Sequence, residues 1–176
     1  MSSAMAAMDP IRIMIIGEAP GKNEDEQGEP FVGKAGEILN EALAQAGLVR
    51  EECYVTNVVK CRPHNNRIPT ENEFAKCSIY LVREYKSFKP THVLLLGSTP
   101  LKFLTSLRGI AKSRGYIPKH HSAFIKSDTY ATYHPAATLY NADVKETFFK
   151  DISVFGKIVR SSYSALDQGD HERDVR

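Results

Sequence analysis

The chain has 176 residues, of which 42% are hydrophobic and 25% charged, and its formal net charge is +2. This length fits one compact domain, and so small a charge does not by itself indicate nucleic-acid binding. No stretch approaches the roughly 18 consecutive apolar residues of a membrane span, and the opening MSSAMAAMDP lacks the pattern of a signal peptide. Three cysteines are too few for a disulfide framework. We therefore expect a cytoplasmic protein without membrane contact.

The hydrophobic pattern predicts strands that alternate with helices along the chain. The apolar run RIMIIG at 12–17 predicts a strand that is buried on both faces. Thr70 and Glu73 form the capping box of a predicted helix at 71–88. The remaining predicted strands are 53–59, 91–97 and 129–135, and the remaining predicted helices are 34–48, 99–107 and 145–159.

This alternation predicts an α/β fold with a four-stranded parallel sheet and helices on both faces. We expect the folded domain to span residues 11–160. Residues 1–10 are predicted to form a flexible N-terminus. The stretch SSYSALDQGDHERDVR at 161–176 is polar and unpatterned, which predicts a loose C-terminal tail.

Three polar side chains are expected to converge at one edge of this sheet. Open parallel sheets bind ligands at the carboxyl ends of their strands. There Glu18 follows the first strand, Asn57 lies late in the second, and His134 ends the fourth. Asn is disfavoured within strands, so the Asn57 amide predicts a ligand contact. An amide satisfied by nearby backbone and a structural histidine are the alternatives.

Charge is distributed unevenly along the chain. Eight basic residues and no acidic residue lie between Glu84 and Asp128, whereas five acidic residues lie within 18–29. This distribution is what a protein would show if one surface gripped phosphates beside a chemical site. The alternative is a solvated surface with uneven charge.

Three blocks of sequence carry a resemblance to a known family. GEAPGKNEDEQGEPFVGKAG, YVTNVVKCRPHNNRIPTENE and TYHPAATL resemble the signature blocks of the family-four uracil-DNA glycosylases, the thermostable bacterial and archaeal type. The blocks stand in the same order, and the resemblance covers about residues 11–160. It implies a three-layer α/β/α fold around a central four-stranded parallel sheet. It also implies hydrolysis of the N-glycosidic bond of deoxyuridine in DNA, a step of base excision repair.

The resemblance implies roles for the residues at the strand ends. Phe31 would stack on a flipped uracil, and the amide of Asn57 would distinguish uracil from cytosine. His134 would donate a hydrogen bond to uracil O2. Glu18 would contact uracil, position or activate water, and favour the positively charged sugar. Backbone amides near Ala19 would add contacts to uracil or a phosphate.

Further positions would serve selectivity and DNA binding. Glu24 would crowd the C5 edge of the base and exclude the methyl group of thymine. Leu139 would fill the gap left by the flipped base. Tyr140 stands where the family commonly has arginine, and the absence of arginine would either weaken a contact to the DNA backbone or be replaced by stacking. The expected phosphate-binding residues are Lys60, Arg62 and Arg67.

The largest departure from the family concerns metal. Typical members hold a four-iron, four-sulfur cluster with four cysteines, and Cys61 and Cys77 match the two later ligands. The earlier Cys-x-x-Cys is missing from this sequence. Cys53 lies eight residues before Cys61, roughly 26 Å along a strand, so both cannot reach one cluster. We expect no iron-sulfur cluster and no other cofactor. Cys61 and Cys77 would remain as buried thiols, or would hold a metal with His64.

Competing functions follow from the same residues. One is a non-catalytic module of the same fold that binds DNA or a replication partner. Another is a catalytic relative with a different base preference, or one that bonds covalently to the abasic sugar, for which the KSRGYIPKHHSA stretch lacks the characteristic pattern. A third is a nucleotide-binding enzyme, but GEAPG is neither a dinucleotide fingerprint nor a P-loop. We expect a monomer that acts on single- or double-stranded uracil-containing DNA, with a repair or replication protein as a possible partner.

Overall fold

The computed structural model describes residues 10–171, except the side chains of 165–171. It contains a five-stranded sheet between two layers of helices. The strands are β1 Ile13–Gly17, β2 Cys53–Asn57, β3 His92–Leu96, β4 Gly115–Ile117 and β5 Asp128–Thr132. The α-helices are α1 Lys22–Gln27, α2 Lys34–Gln45, α3 Glu71–Phe88, α4 Ser98–Leu104, α5 Ile110–Ser113 and α6 Ala142–His171. None of the helices in the described range is long and apolar enough to cross a membrane.

The strand order in the sheet is β2-β1-β3-β5-β4. The first four strands of this order are parallel, as expected, while β4 pairs antiparallel with β5. The predicted α/β/α arrangement is confirmed, but the sheet has five strands rather than four. β4 has only three residues and is followed by Pro118, so it is too short to produce a recognisable pattern.

Apolar side chains on both faces of the sheet form two separate cores. In β1, Ile13 and Ile15 pack with residues of α2 and α6, whereas Met14 and Ile16 pack with residues of α3 and α4. Because helices cover both faces, the strand needs apolar residues at every position. This explains the continuous apolar run in the sequence.

Several predicted boundaries differ from the structure. β2 ends at Asn57, so the predicted strand at 53–59 is too long and Asn57 is its last residue. Helix α1 lies in a segment for which we predicted no element. Helix α6 continues to His171, so the expectation of a loose tail from residue 161 is wrong for 161–171. Residues 1–9 and 172–176 lie outside the described residues, and the domain boundaries at 11 and 160 stay predictions.

The tail was mispredicted because its polar residues extend a helix that is already nucleated. Phe148, Ile152, Phe155 and Val159 of α6 are buried in the core. Adding residues to such a helix costs little, since only its first turn carries the penalty of nucleation. A polar extension can therefore be helical without an apolar face of its own.

Candidate active site

The carboxyl ends of β1, β2 and β5 surround a cleft of about 280 Å3, here called the carboxyl-end cleft. Its lining includes Glu18, Phe31, Asn57 and His134. The expected convergence of these groups is thereby confirmed, and their chemical roles stay predictions. Ala19, Glu24 and Arg67 also line the cleft.

The side chain of Asn57 is 6% exposed, and its Oδ1 has no hydrogen-bond partner among residues 10–171. It is the sole buried side-chain atom in this condition within the part of the chain whose side chains are described. A buried acceptor without a partner costs about 1–3 kcal/mol. The alternative of an amide satisfied by nearby backbone is therefore wrong for this oxygen, and the geometry favours a ligand that donates to it.

Gly17 at the end of β1 allows the aromatic ring and the amide to approach each other. A Cβ at this position would lie 2.5 Å from Cζ of Phe31 and 2.6 Å from Oδ1 of Asn57. Both distances are shorter than van der Waals contact, so any side chain at Gly17 would displace one group or the other. The glycine therefore contributes to the shape of the cleft.

The backbone of Asn57 is held by Lys60. The Lys60 ammonium donates to the Asn57 carbonyl over 2.7 Å, to Thr56 Oγ1 over 2.6 Å and to Glu84 Oε2 over 2.7 Å. Burial lowers the pKa of Lys60, and the hydrogen bond with Glu84 opposes that effect. An ammonium has three donors, and all three are used. These contacts do not support the expectation that Lys60 binds a DNA phosphate.

Phe31 adopts a backbone conformation that is uncommon for its residue type. Its φ is +55°, in the left-handed region, which costs roughly 1–2 kcal/mol for a residue other than glycine. The ring lies against the imidazole of His134 with centroids 5.6 Å apart and an interplanar angle of 29°. The strained turn thus places Phe31 among the residues that line the cleft, and its stacking role stays a prediction.

The carboxylate of Glu24 fastens the loop that carries Phe31. Its Oε1 accepts hydrogen bonds from the backbone N–H groups of Val32 and Gly33, each over 3.1 Å. Gly33 is the residue before the first turn of α2, so the carboxylate also satisfies an N–H at a helix start. Glu24 therefore has a structural role in addition to the selectivity role that we predicted.

His134 is held as a neutral imidazole. Its Nδ1 accepts a hydrogen bond from the Ala136 N–H over 3.1 Å, which assigns the ring proton to Nε2. Burial lowers the pKa of His134 to about 4, and the nearby charge of Glu24 opposes this shift. At neutral pH the ring is therefore uncharged and offers an Nε2–H donor.

The carboxylate of Glu18 is held by a residue that the sequence pattern does not single out. The hydroxyl of Thr99, at the start of α4, donates a hydrogen bond to Oε2 of Glu18. Thr99 is buried, although it lies in a short helix that the pattern predicts only from its apolar residues. The signal that could have found it is its place directly after the carboxyl end of β3.

Of the residues predicted to bind DNA, Arg67 alone is among those that line the cleft. Arg67 pairs with both carboxylate oxygens of Glu73 over 2.7 and 2.8 Å, and Arg62 Nε donates to Asn66 over 2.7 Å. Leu139 is 43% exposed and Tyr140 is 89% exposed. Both follow His134 closely in the chain, and their roles against DNA stay predictions. Arg62 is not among the residues that line the cleft.

Comparison with known proteins identifies the family. The model of the uracil DNA glycosylase superfamily matches residues 7–153. The chain is 42% identical over 151 residues to a type-4 uracil-DNA glycosylase of Archaeoglobus fulgidus, covering 83% of this chain and 76% of that protein. Similar enzymes of Pyrobaculum aerophilum and Saccharolobus solfataricus are each 40% identical, over 81% and 88% of this chain and 76% and 74% of theirs. The chain belongs to the type-4 uracil-DNA glycosylases. The predicted resemblance is confirmed.

The cysteines of this type-4 member do not fit the cluster that the resemblance implies. A cluster of that kind needs four thiolates, and the chain has three cysteines. No group of three or more His, Cys, Asp or Glu side chains that could hold a metal ion occurs in the described part of the chain. The alternative of a metal held by Cys61, Cys77 and His64 is therefore not supported.

The surroundings of the cysteines also differ from those expected. Cys61 is exposed, so its prediction as a buried thiol is wrong, and Cys77 is half-buried beside the core under α3. Cys61 is exposed because it follows Lys60 into the loop that leaves the sheet. Burial raises the pKa of Cys53 to about 11, so this thiol stays protonated and is a poor metal ligand.

Proposed function

We propose that the protein hydrolyses the N-glycosidic bond of deoxyuridine in DNA, releasing uracil and leaving an abasic site. The observation that carries the proposal is the buried, unpartnered Oδ1 of Asn57 in a cleft shared with Phe31 and His134. Membership of the type-4 family supports the same activity. The reaction makes the protein a hydrolase of base excision repair.

Recognition would begin with a uracil that leaves the duplex, at a cost of a few kcal/mol. Stacking on the ring of Phe31 offsets about 1–3 kcal/mol of this cost. The Asn57 Oδ1 accepts a hydrogen bond from uracil N3–H, and the amide nitrogen donates to O4. Cytosine has an acceptor at N3 and a donor at C4, so both contacts would fail. Such a mismatch leaves a buried amide unpaired and gives strong discrimination.

Bond cleavage leaves negative charge on the departing uracil. The neutral imidazole of His134 donates its Nε2–H to uracil O2 and stabilises that charge. Because the Ala136 N–H fixes the tautomer, the donor needs no rearrangement during the reaction. Loss of one donor of this kind typically lowers the rate by about 10²–10³.

Glu18 acts on the sugar side of the bond. Its carboxylate positions the attacking water and stabilises positive charge on the sugar as the bond breaks. Thr99 donates to Oε2 of this carboxylate and so orients it for this role. The backbone amide of Ala19 adds a contact to uracil, and Glu24 stands at the C5 edge, where it excludes thymine.

DNA binding would use residues of the segments that follow β2 and β5. Leu139 enters the space of the flipped base, and Tyr140 stacks beside it. Arg67 and Arg62 contact phosphates after their hydrogen bonds to Glu73 and Asn66 break. The free energy of breaking those bonds lowers their contribution to DNA affinity. We propose that the enzyme works as a cytoplasmic monomer on single- or double-stranded DNA, without an iron-sulfur cluster or other cofactor.

The test is release of uracil from oligonucleotides that contain a single deoxyuridine, followed by alkali to cut abasic sites. Matched oligonucleotides with thymine or cytosine at that position are the substrate controls. We expect strand breaks at uracil alone, abolished in Asn57→Ala and retained in Asn72→Ala, which alters an exposed amide on α3. Tight binding without breaks would contradict the proposal and support a non-catalytic module, which the family membership does not favour.

A further inference from the structure

A second cleft, of about 530 Å3, lies at the other end of the sheet and is here called the amino-end cleft. It includes Thr91, directly before β3, and Asp128, the first residue of β5. The carboxyl-end cleft lies where the parallel strands end. A five-residue strand is about 17 Å long, and the length of the parallel strands separates the two clefts.

The amino-end cleft is strongly basic. Four lysines line it, all of them exposed: Lys86, Lys89, Lys119 and Lys126. Asp128 is the one acidic residue of its lining, and it pairs with Lys119 over 3.2 Å. Arg12 adds a fifth cation at this edge, because its Nε donates to the Lys89 carbonyl over 2.8 Å. These lysines belong to the segment that the sequence marks as free of acidic residues.

Helix α3 alone does not account for this cluster. Lysines in the last turn of a helix are favoured by its dipole, which explains Lys86 and Lys89. Lys119 and Lys126 come from other segments, a single turn of 3-10 helix and the loop before β5. Lys89 also has a φ of +50°, in the left-handed region. Glycine adopts this backbone conformation more readily, so a lysine there is conformationally unfavourable.

The backbone beneath the lysines is fixed in place. The hydroxyl of Tyr85 accepts hydrogen bonds from the N–H groups of Lys126 and Ser127 over 2.9 and 3.2 Å. The same hydroxyl lies 2.7 Å from Oγ of Ser127. Helix α3 is thereby joined to the segment before β5, and the backbone that carries Lys126 is held beside the helix that carries Lys86. Lysines of both segments therefore share one edge of the sheet, where an anion would lower their mutual repulsion.

We propose that the amino-end cleft binds the phosphate backbone of a second nucleic-acid segment, independently of base sequence. The inference rests on the proposed function only in taking DNA as the polyanion that the protein meets. The cleft is open and offers ammonium groups, and the hydroxyl of Tyr85, the aromatic residue of its lining, is already engaged by the N–H groups of Lys126 and Ser127. Phosphate contact and release of counterions supply affinity of this kind.

The position of the cleft explains why the segment must be a second one. A straight duplex over Asn57 lies at the carboxyl ends of the strands and cannot also reach their amino ends. A protein with DNA at both ends can pass from one segment to another without entering free solution. The amino-end cleft would therefore speed the search for uracil and leave the chemical step unchanged.

The experiment compares two variants with the same change in charge. Lys86→Glu/Lys126→Glu alters the amino-end cleft, and Lys112→Glu/Lys157→Glu alters exposed lysines outside it. The first measurement is the salt dependence of binding to uracil-free duplex, by fluorescence anisotropy. The second is the rate at which protein leaves a labelled duplex as unlabelled duplex is added. Uracil release from a short single-stranded oligonucleotide is measured for every protein.

We expect the cleft variant to lower the slope of log affinity against log salt by about 2, one for each lost phosphate contact. Its departure rate should no longer rise with competitor concentration, whereas that of the wild type and the control variant should. Uracil release should be equal in all three. Wild-type behaviour of the cleft variant, or an equal loss in the control variant, would overturn the proposal and leave an acidic protein as the occupant.

The two proposals can fail separately. If no protein, wild type included, releases uracil, the proposed function fails. The anisotropy data then still show whether the amino-end cleft binds DNA. If the cleft variant unfolds at a lower temperature than the wild type, Lys86→Gln/Lys126→Gln repeats the measurements without charge reversal. The same lowering of the slope by about 2 and the same loss of transfer are then expected, because this variant also removes two phosphate contacts, and their absence would overturn the inference.

Discussion

The N–H of Ala136 donates to Nδ1 of His134 over 3.1 Å, and this contact determines which form of the imidazole faces the cleft. A ring that accepts at Nδ1 carries its proton on Nε2 when neutral. Burial keeps it neutral by lowering its pKa to about 4. The geometry and the electrostatics of this residue thus agree on one species, a neutral donor.

The first prediction concerns the pH dependence of catalysis. With a pKa of about 4, His134 does not titrate between pH 5.5 and 8, so it should produce no inflection in kcat/KM there. Measuring kcat/KM against pH for the wild type and His134→Gln checks this. Proton NMR of the imidazole should show a midpoint near 4. A midpoint near the ordinary value of 6.5 would contradict the assignment.

The second prediction concerns stability at acid pH. The pKa of His134 is lower in the folded protein than the ordinary 6.5, so the unfolded chain binds more protons between pH 6.5 and about 4. This group therefore favours unfolding as pH falls through that window. The free energy of unfolding of His134→Gln should fall less steeply than that of the wild type between pH 6.5 and 4. Parallel curves of the free energy of unfolding against pH would show that burial does not shift the pKa of His134.

The third prediction concerns Thr99 and Glu18. Thr99→Val removes the hydroxyl that holds Oε2 while keeping the volume, and a hydrogen bond to a charged group contributes about 1.5–3 kcal/mol. We expect kcat for uracil release to fall by roughly 10- to 100-fold with little change in KM. Thr99→Ser should restore most of the rate. Equal losses in both variants would indicate a packing role instead.

The fourth prediction separates two roles for Lys60. If its ammonium holds Asn57 and Glu84, Lys60→Met should lower the free energy of unfolding by about 1–3 kcal/mol, since the pair is partly exposed. The double variant Lys60→Met/Glu84→Leu should recover part of this loss. The salt dependence of DNA binding should remain that of the wild type. A smaller slope of log affinity against log salt in Lys60→Met would instead support phosphate binding by Lys60.

The fifth prediction concerns the cysteines. Iron content of the purified protein should be negligible, and its visible spectrum should lack cluster absorption, because three thiols do not complete the ligand set. The variant Cys61→Ser/Cys77→Ser should keep the wild-type unfolding temperature and uracil release. Stoichiometric iron that is lost in this variant would contradict the account.

The sequence predicted the sheet and the meeting of Glu18, Phe31, Asn57 and His134, because these depend on local patterns and on one rule about strand ends. It did not predict β4, which is too short to show a period, or the length of α6, whose last turns are polar. These features depend on neighbours rather than on their own composition.

Contacts between distant residues could not be predicted either. Glu84 is 24 residues from Lys60, and Thr99 is 81 residues from Glu18. No local pattern marks Glu84, a glutamate on a helix, as a partner of Lys60, and the place of Thr99 after β3 does not show which side chain it contacts. The arrangement of such partners depends on how helices pack on the sheet, and that packing also decided that Lys60 holds the backbone of Asn57.

The central claim is that Oδ1 of Asn57 accepts a hydrogen bond from N3–H of uracil. Inhibition of uracil release by free bases tests it directly, with 1-methyluracil as the control that keeps N3–H and 3-methyluracil as the base that lacks it. We predict that 1-methyluracil inhibits about as well as uracil, and that 3-methyluracil is weaker by roughly 10-fold or more, since the buried oxygen would stay unpaired. Equal inhibition by the two methylated bases would contradict the claim.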